Sequence, residues 1–221
     1  MPAETPRLAH HFADLRQQHE AGTLGMWVFL ASELMFFGAL FLAYTVYRLM
    51  YPAEFAAGSQ HLNLAFGGVN TIVLLTSSLT MALAVHAAHT SATRATTRYL
   101  ALTAALGTLF LVIKIFEYLS DYHERLMPGV AFDDADWSAL GLRPERVKLF
   151  LLIYYLMTGV HALHLIIGIG MLLILTVAAA RGRYSALHYM PIEVAGLYWH
   201  FVDLVWIFLL PLLYMIGVRH L

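Results

Sequence analysis

The chain has 221 residues, 60% hydrophobic and only 12% charged, with a formal net charge of −1 and no cysteine. Soluble domains carry roughly 25% charged residues, so an ordinary soluble fold is excluded, and a near-neutral chain offers nothing to nucleic acid or to an acidic ligand. Without cysteine there are no disulfides, iron–sulfur clusters, thiolate zinc sites or copper sites built on Cys.

An N-terminal tail, residues 1–23, precedes the first long apolar run, which starts at Leu24. That run is roughly twice as long as a signal-peptide core and lacks a small-residue cleavage site, so its removal as a signal is not expected. Within the tail, Leu8, Phe12 and Leu15 are spaced as one apolar stripe of a short helix, among Arg, His and Gln. Such a helix would lie on the membrane surface or on a partner. A loosely ordered tail is the alternative.

A hydrocarbon core about 30 Å thick takes about 20 apolar residues in a helix. Five segments qualify: Leu24 to Tyr47, Leu64 to Ala88, Tyr99 to Leu119, Leu149 to Ala180 and Ala195 to Gly217. The prediction is an all-α integral membrane protein, a five-transmembrane-helix bundle forming one domain over residues 24–221. The fourth segment is too long for an upright crossing, and Pro144 and Glu145 suit an even earlier first turn. It should tilt or project past the membrane.

Six Lys or Arg residues fall on each side of the five spans, so the positive-inside count is a tie. The side opposite the N-terminus mixes its bases with Asp121, Glu124, Asp133, Asp134, Asp136 and Glu145. This leans towards a cytoplasmic N-terminus and an outside C-terminus.

Ionisable residues inside the spans are the most informative, because each costs about 2.5–3.5 kcal/mol at the bilayer centre on insertion scales. Glu33 sits mid-span, where a charged carboxylate would be poorly solvated, so a neutral carboxyl is expected. It either hydrogen-bonds a neighbouring helix or handles protons or lipid headgroups. The hydroxyl and small residues of the second span, Asn70, Thr71, Thr76, Ser77, Ser78 and Thr80, suit close helix packing. Lys114 and Glu117 are three apart, with Asp121 a turn later, which suits a structural ion pair or a polar path towards the loop that follows.

His161 and His164 are also three apart. They are too close on one helix to hold two stacked haems. A three-histidine copper site with His200 would also need an open position and supporting partners, so interhelical hydrogen bonding is the default. Trp199 and Trp206, a heptad apart, share one stripe of the last helix, and His200 and Asp203 share a neighbouring one. With Glu193 seven residues before His200, the set His161, His164, Glu193, His200 and Asp203 is expected to form one network between the last two spans, as structural glue or as a proton path. The acidic run Asp133–Asp136 reads as a solvated loop with a helix start, and less readily as a cation site.

The segments GMWVFLASELMFF (25–37), FEY (116–118), TGVHALHLIIG (158–168) and GLYWHFVDLVWIFL (196–209) resemble subunit III of the haem–copper oxidases, with the nearest likeness to the cytochrome c oxidase branch. The likeness runs over nearly the whole chain from Leu24, in the right order, and HFVDLVW preceded by YW is its most specific part. The resemblance implies a respiratory complex in a prokaryotic cytoplasmic membrane, or less readily a mitochondrial inner membrane. It implies a non-catalytic subunit with no haem or copper of its own, those cofactors lying in partner subunits. Subunit I is the implied main contact, with subunit II and small subunits in the same complex. Structural phospholipids, proton uptake and durable turnover are the implied roles. The matching positions for the family's buried polar groups are Glu33, Glu117, His161, His164, Glu193, His200 and Asp203, and the implied orientation again has the N-terminus inside.

Many family members have seven helices, and this chain resembles their last five. Another subunit then supplies one wall of the family's lipid cleft, or the lipid sites differ. Five-helix forms also occur in quinol oxidases and among accessory proteins of nitric-oxide reductases. Outside the family, a stand-alone proton or ion transporter would want broken helices or inverted repeats, and Pro211 is the one proline inside a span. A haem-binding membrane cytochrome is the other alternative.

Overall fold

A computed structural model describes residues 14–186 and 188–216. Leu8 and Phe12 of the tail stripe lie outside them. Helix α1 (Leu15–Met50) starts at Asp14, whose carboxylate accepts the Gln17 N–H at 2.7 Å. It begins nine residues before the expected span, so the polar stretch ahead of Leu24 forms its first turns. It stops before Pro52, because the residue preceding a proline is pushed out of the α region. Pro52 then opens a short helix, α2 (Pro52–Gln60), which hydrophobicity alone does not reveal.

Asn63 caps α3 (Leu64–His89) through the N–H groups of Ala65 and Phe66. A turn with Ser91 in the left-handed region leads into α4 (Thr93–His123). Beyond it lie a two-stranded antiparallel hairpin, β1 (Leu126–Met127) and β2 (Ala131–Phe132), and the short α5 (Asp134–Ala139). Asp133 caps α5 through the Ala135 N–H, as the acidic run suggested.

Helix α6 (Pro144–Ala180) has 37 residues, about 56 Å at 1.5 Å per residue. Its extra length lies at the hairpin end, where Phe150 packs on Gly58 of α2 and Arg146 pairs with Glu54 at 3.1 Å. It closes with Gly182 at φ +72°. The Gly182 N–H bonds the Ala179 carbonyl and the Arg183 N–H reaches the Ala178 carbonyl, a left-handed cap that glycine adopts freely. Helix α7 (Met190–Tyr214) follows.

Five helices among the described residues are long and apolar enough to cross a membrane: α1, α3, α4, α6 and α7. The chain is an all-helical membrane protein. Helix α7 is its hub, packing on α1, α3 and α6, while α4 joins α3 to α6. Half of the α7 apolar window is buried, against 17% for α1, so α1 is a flanking helix that leans on α7. Trp199 of α7 inserts between Gly107 of α4 and Gly168 of α6, where any side chain would meet its ring. The last carbonyls of α7 have no partner within the helix. Tyr44 of α1 donates to that of Leu212 at 2.5 Å, and Ser59 of α2 to that of Leu213 at 2.7 Å.

Candidate functional site

Most of the candidate polar residues fall in two clusters and one seam. The first cluster centres on Lys114, which α4 presents to α6 and α7. Lys114 is 3% exposed and Glu117 is 1% exposed, and their charged groups lie 3.1 Å apart. The ammonium donates to the Tyr154 hydroxyl at 2.9 Å and to the Tyr214 hydroxyl at 2.5 Å. Each phenol in turn donates to Oε1 of Glu117, at 2.9 and 2.5 Å. Both phenols therefore bridge the ion pair. One turn along, Asp121 accepts from Tyr155 at 3.2 Å, and Tyr118 bonds Thr158. Taking two charges out of water costs several kcal/mol each, which only good geometry and further hydrogen bonds offset. Those bonds come from residues 40 and 100 positions away in the chain.

The second cluster joins α1 to α6. Glu33 Oε2 lies 3.0 Å from Nε2 of His164, with both side chains partly buried. Nδ1 of His164 is 2.9 Å from the Val160 carbonyl oxygen, which only accepts, so Nδ1 carries a hydrogen. The contact to Glu33 then holds one shared proton, as carboxyl and imidazole or as carboxylate and imidazolium. The pair is neutral in either form. Glu33 thus hydrogen-bonds a neighbouring helix, one of the two roles expected for it, through a partner 131 residues away. The Phe37 ring packs on His164 at 5.2 Å, and the Tyr198 hydroxyl bonds the His164 carbonyl.

The seam runs between α3 and α7. Trp199 donates to Ser77 at 3.0 Å, Trp206 donates to Thr71 at 3.1 Å, and His200 shares a 2.7 Å hydrogen bond with Ser78. The Thr71, Ser77 and Ser78 hydroxyls therefore tie α3 to α7, whereas Thr76 is exposed and bonds the Ile72 carbonyl of its own helix. Asp203 is buried beside Ser78.

The expected single network across the last two spans is corrected here. His200 turns to α3, where the closely packed Ser78 is the nearer partner, and not to the histidines of α6. His164 turns to α1. His161 is fully buried between Phe110 of α4 and Trp206 of α7, at ring distances of 5.5 and 5.2 Å, and neither ring nitrogen meets a partner among the described residues. Glu193 is partly buried in the first turn of α7. The three histidines thus face different neighbours. No three His, Asp or Glu side chains among the described residues converge as a metal-ligand group.

Residues 9–125 and 147–218 match the family described as cytochrome c oxidase subunit III. The chain is similar to the cytochrome c oxidase subunit 3 of Synechocystis sp., with 34% identity over 210 residues covering 94% of this chain and 78% of that protein. It is 33% identical to the cytochrome c oxidase subunit 3 of Thermostichus vulcanus, over 94% of this chain and 90% of that one. It is also 27% identical to a Staphylococcus haemolyticus protein named "Probable quinol oxidase subunit 3", over 88% and 89%.

Proposed function

This chain belongs to the cytochrome c oxidase subunit III family, and we propose that it is the non-catalytic subunit III of a haem–copper terminal oxidase that takes electrons from cytochrome c. As a respiratory oxidase subunit it is multi-pass in a membrane. In this reading it packs on subunit I, with subunit II and small subunits in the same complex. It holds phospholipids, supports proton uptake, and prolongs turnover in a prokaryotic cytoplasmic membrane. The N-terminus faces the cytoplasm.

The observation that supports the non-catalytic role is the engagement of four ionisable groups within the spans. Lys114, Glu117, His164 and His200 are spent on helix-to-helix hydrogen bonds and ion pairs, and none is presented with others as a ligand set. The relatives named for cytochrome c oxidase, at 34% and 33% identity, favour that donor over quinol, whose named relative stands at 27%.

Affinity capture of the tagged chain from detergent-solubilised membranes tests the assignment. Haem and copper should co-purify with a larger subunit, and should leave with it when the complex is dissociated. The captured complex should oxidise reduced cytochrome c faster than quinol. Haem or copper retained by the isolated chain would contradict the reading.

A further inference from the structure

We propose that the Glu33–His164 pair is a proton-keyed latch: with its shared proton in place it holds α1 against α6, and loss of that proton releases α1. The latch rests on two hydrogen bonds within the chain and holds whichever donor the complex uses.

The key is a count of hydrogens. The His164 ring stands between two oxygens, with Nδ1 2.9 Å from the Val160 carbonyl and Nε2 3.0 Å from Glu33 Oε2. A carbonyl and a carboxylate both only accept, so the two contacts together need two hydrogens. A neutral imidazole supplies one, and the shared proton supplies the other.

When the shared proton leaves for water, one hydrogen remains for two acceptors. If it stays on Nδ1, the Nε2 lone pair faces the Glu33 carboxylate. If it moves to Nε2, the Nδ1 lone pair faces the Val160 carbonyl. Either way a hydrogen bond becomes a repulsive contact, and a carboxylate is left inside an apolar span, where it is costly. A second proton on the pair does no such harm, because the carboxyl C=O still accepts from Nε2. The latch therefore opens as the pH rises and not as it falls. The His164 and Glu33 side chains are 14% and 19% exposed, so exchange needs no passage through the interior of the bundle.

The neighbouring titratable groups do not make good the loss. Tyr198 of α7 donates its hydroxyl to the His164 carbonyl, and His161, one turn back on α6, lies between the Phe110 and Trp206 rings. Lys114 and Glu117 of α4 pair with each other, and His200 of α7 bonds Ser78 of α3. Among the described residues, none of these groups hydrogen-bonds the Glu33 carboxyl.

Release follows from how α1 is held. Its apolar window is 17% buried, against 33% for α6 and 50% for α7. On the hairpin side it is fixed, since the Tyr44 hydroxyl donates to the Leu212 carbonyl and α2 follows directly. Around the pair its other contacts are rings and apolar chains: Phe37 on His164 and Phe201, Phe29 on Tyr198, with Met26 and Leu30 buried. Loss of the one polar contact here lets α1 part from α6 around Glu33, turning about the Tyr44–Leu212 bond.

The test uses the full chain in lipid nanodiscs. The chain has no cysteine, so introduced ones alone carry nitroxide labels. One labelled pair, Val28→Cys with Ile167→Cys, sits on exposed positions of α1 and α6 beside the latch, and a second, Val46→Cys with Leu152→Cys, sits on exposed positions in their hairpin halves. Electron spin resonance should show the first distance lengthening reversibly as the pH is raised, with the second unchanged. Glu33→Gln should abolish the lengthening, because its amide donates to Nε2 at every pH. Should that variant fail to fold, the double change Glu33→Leu with His164→Leu takes its place, since it leaves no titratable group on the seam. A wild-type distance that stays constant up to the pH at which helicity is lost would overturn the latch. So would a lengthening that persists in either variant.

Discussion

The Glu33 carboxyl of α1 lies 3.0 Å from Nε2 of His164 on α6, and the Val160 carbonyl on the other ring nitrogen holds the imidazole in place. This is the polar tie between the flanking helix and α6. Glu33→Gln keeps the shape and still donates to an imidazole nitrogen, so assembly should survive with a loss of about 1 kcal/mol. His164→Leu leaves the carboxyl without that partner and should cost about 1–3 kcal/mol. Glu33→Lys sets a cation against the imidazole and should block assembly. Thermal unfolding of the three variants in detergent checks the order. Equal stability of Glu33→Gln and His164→Leu would remove the pairing argument.

The Lys114–Glu117 pair predicts a coupled response. Losing one partner strands a buried charge and two phenols, at about 3–5 kcal/mol. Replacing both, Lys114→Met with Glu117→Leu, should cost less than either single change. A double-mutant cycle by denaturant titration measures this. Additive costs would mean the two residues act separately.

Glycine positions separate packing from helix propensity. A Cβ at Gly107 would stand 2.6 Å from the Trp199 ring, so Gly107→Ala should destabilise by about 1–3 kcal/mol. Nothing lies within 4 Å of a Cβ at Gly38, so Gly38→Ala should be neutral or stabilising by about 0.5–1 kcal/mol. The same unfolding assay compares them, and a reversed order would contradict the keyed position of Trp199.

Much of the fold could be read from hydrophobicity and caps. The five spans are continuous apolar runs, and Pro144 marks the early start of α6. Helix α2 could not be read that way, because PAEFAAGSQ has neither the length nor the periodicity of a span. The apolar run starts the first span at Leu24, whereas the helix starts at Leu15, and in its polar first turns Arg16 and Glu20, four apart, pair at 2.8 Å. Within the site, the ion pair of Lys114 and Glu117 is legible because its members are neighbours on one helix face. Tyr154 and Tyr214 are not, since only the packing of α4, α6 and α7 brings them together. The histidines of α6 suggest one joint site by their spacing, but three-residue spacing turns them about 60° apart, towards different helices.

The caps on α7 give a further prediction. Tyr44→Phe and Ser59→Ala each remove a hydroxyl from a last-turn carbonyl and should cost about 1 kcal/mol each. The loss should be local, so hydrogen exchange should rise at Leu212, Leu213 and Tyr214 while the middle of α7 stays protected. Unchanged exchange at the end of α7 would show that these bonds do not hold it.

Oxygen consumption by the purified complex, with and without this chain, tests the central claim most directly. A non-catalytic subunit III predicts that the depleted complex starts near the intact rate and then loses activity over successive turnovers, with its haems in place. A depleted complex that keeps its haems but has no activity from the first turnover would contradict the account.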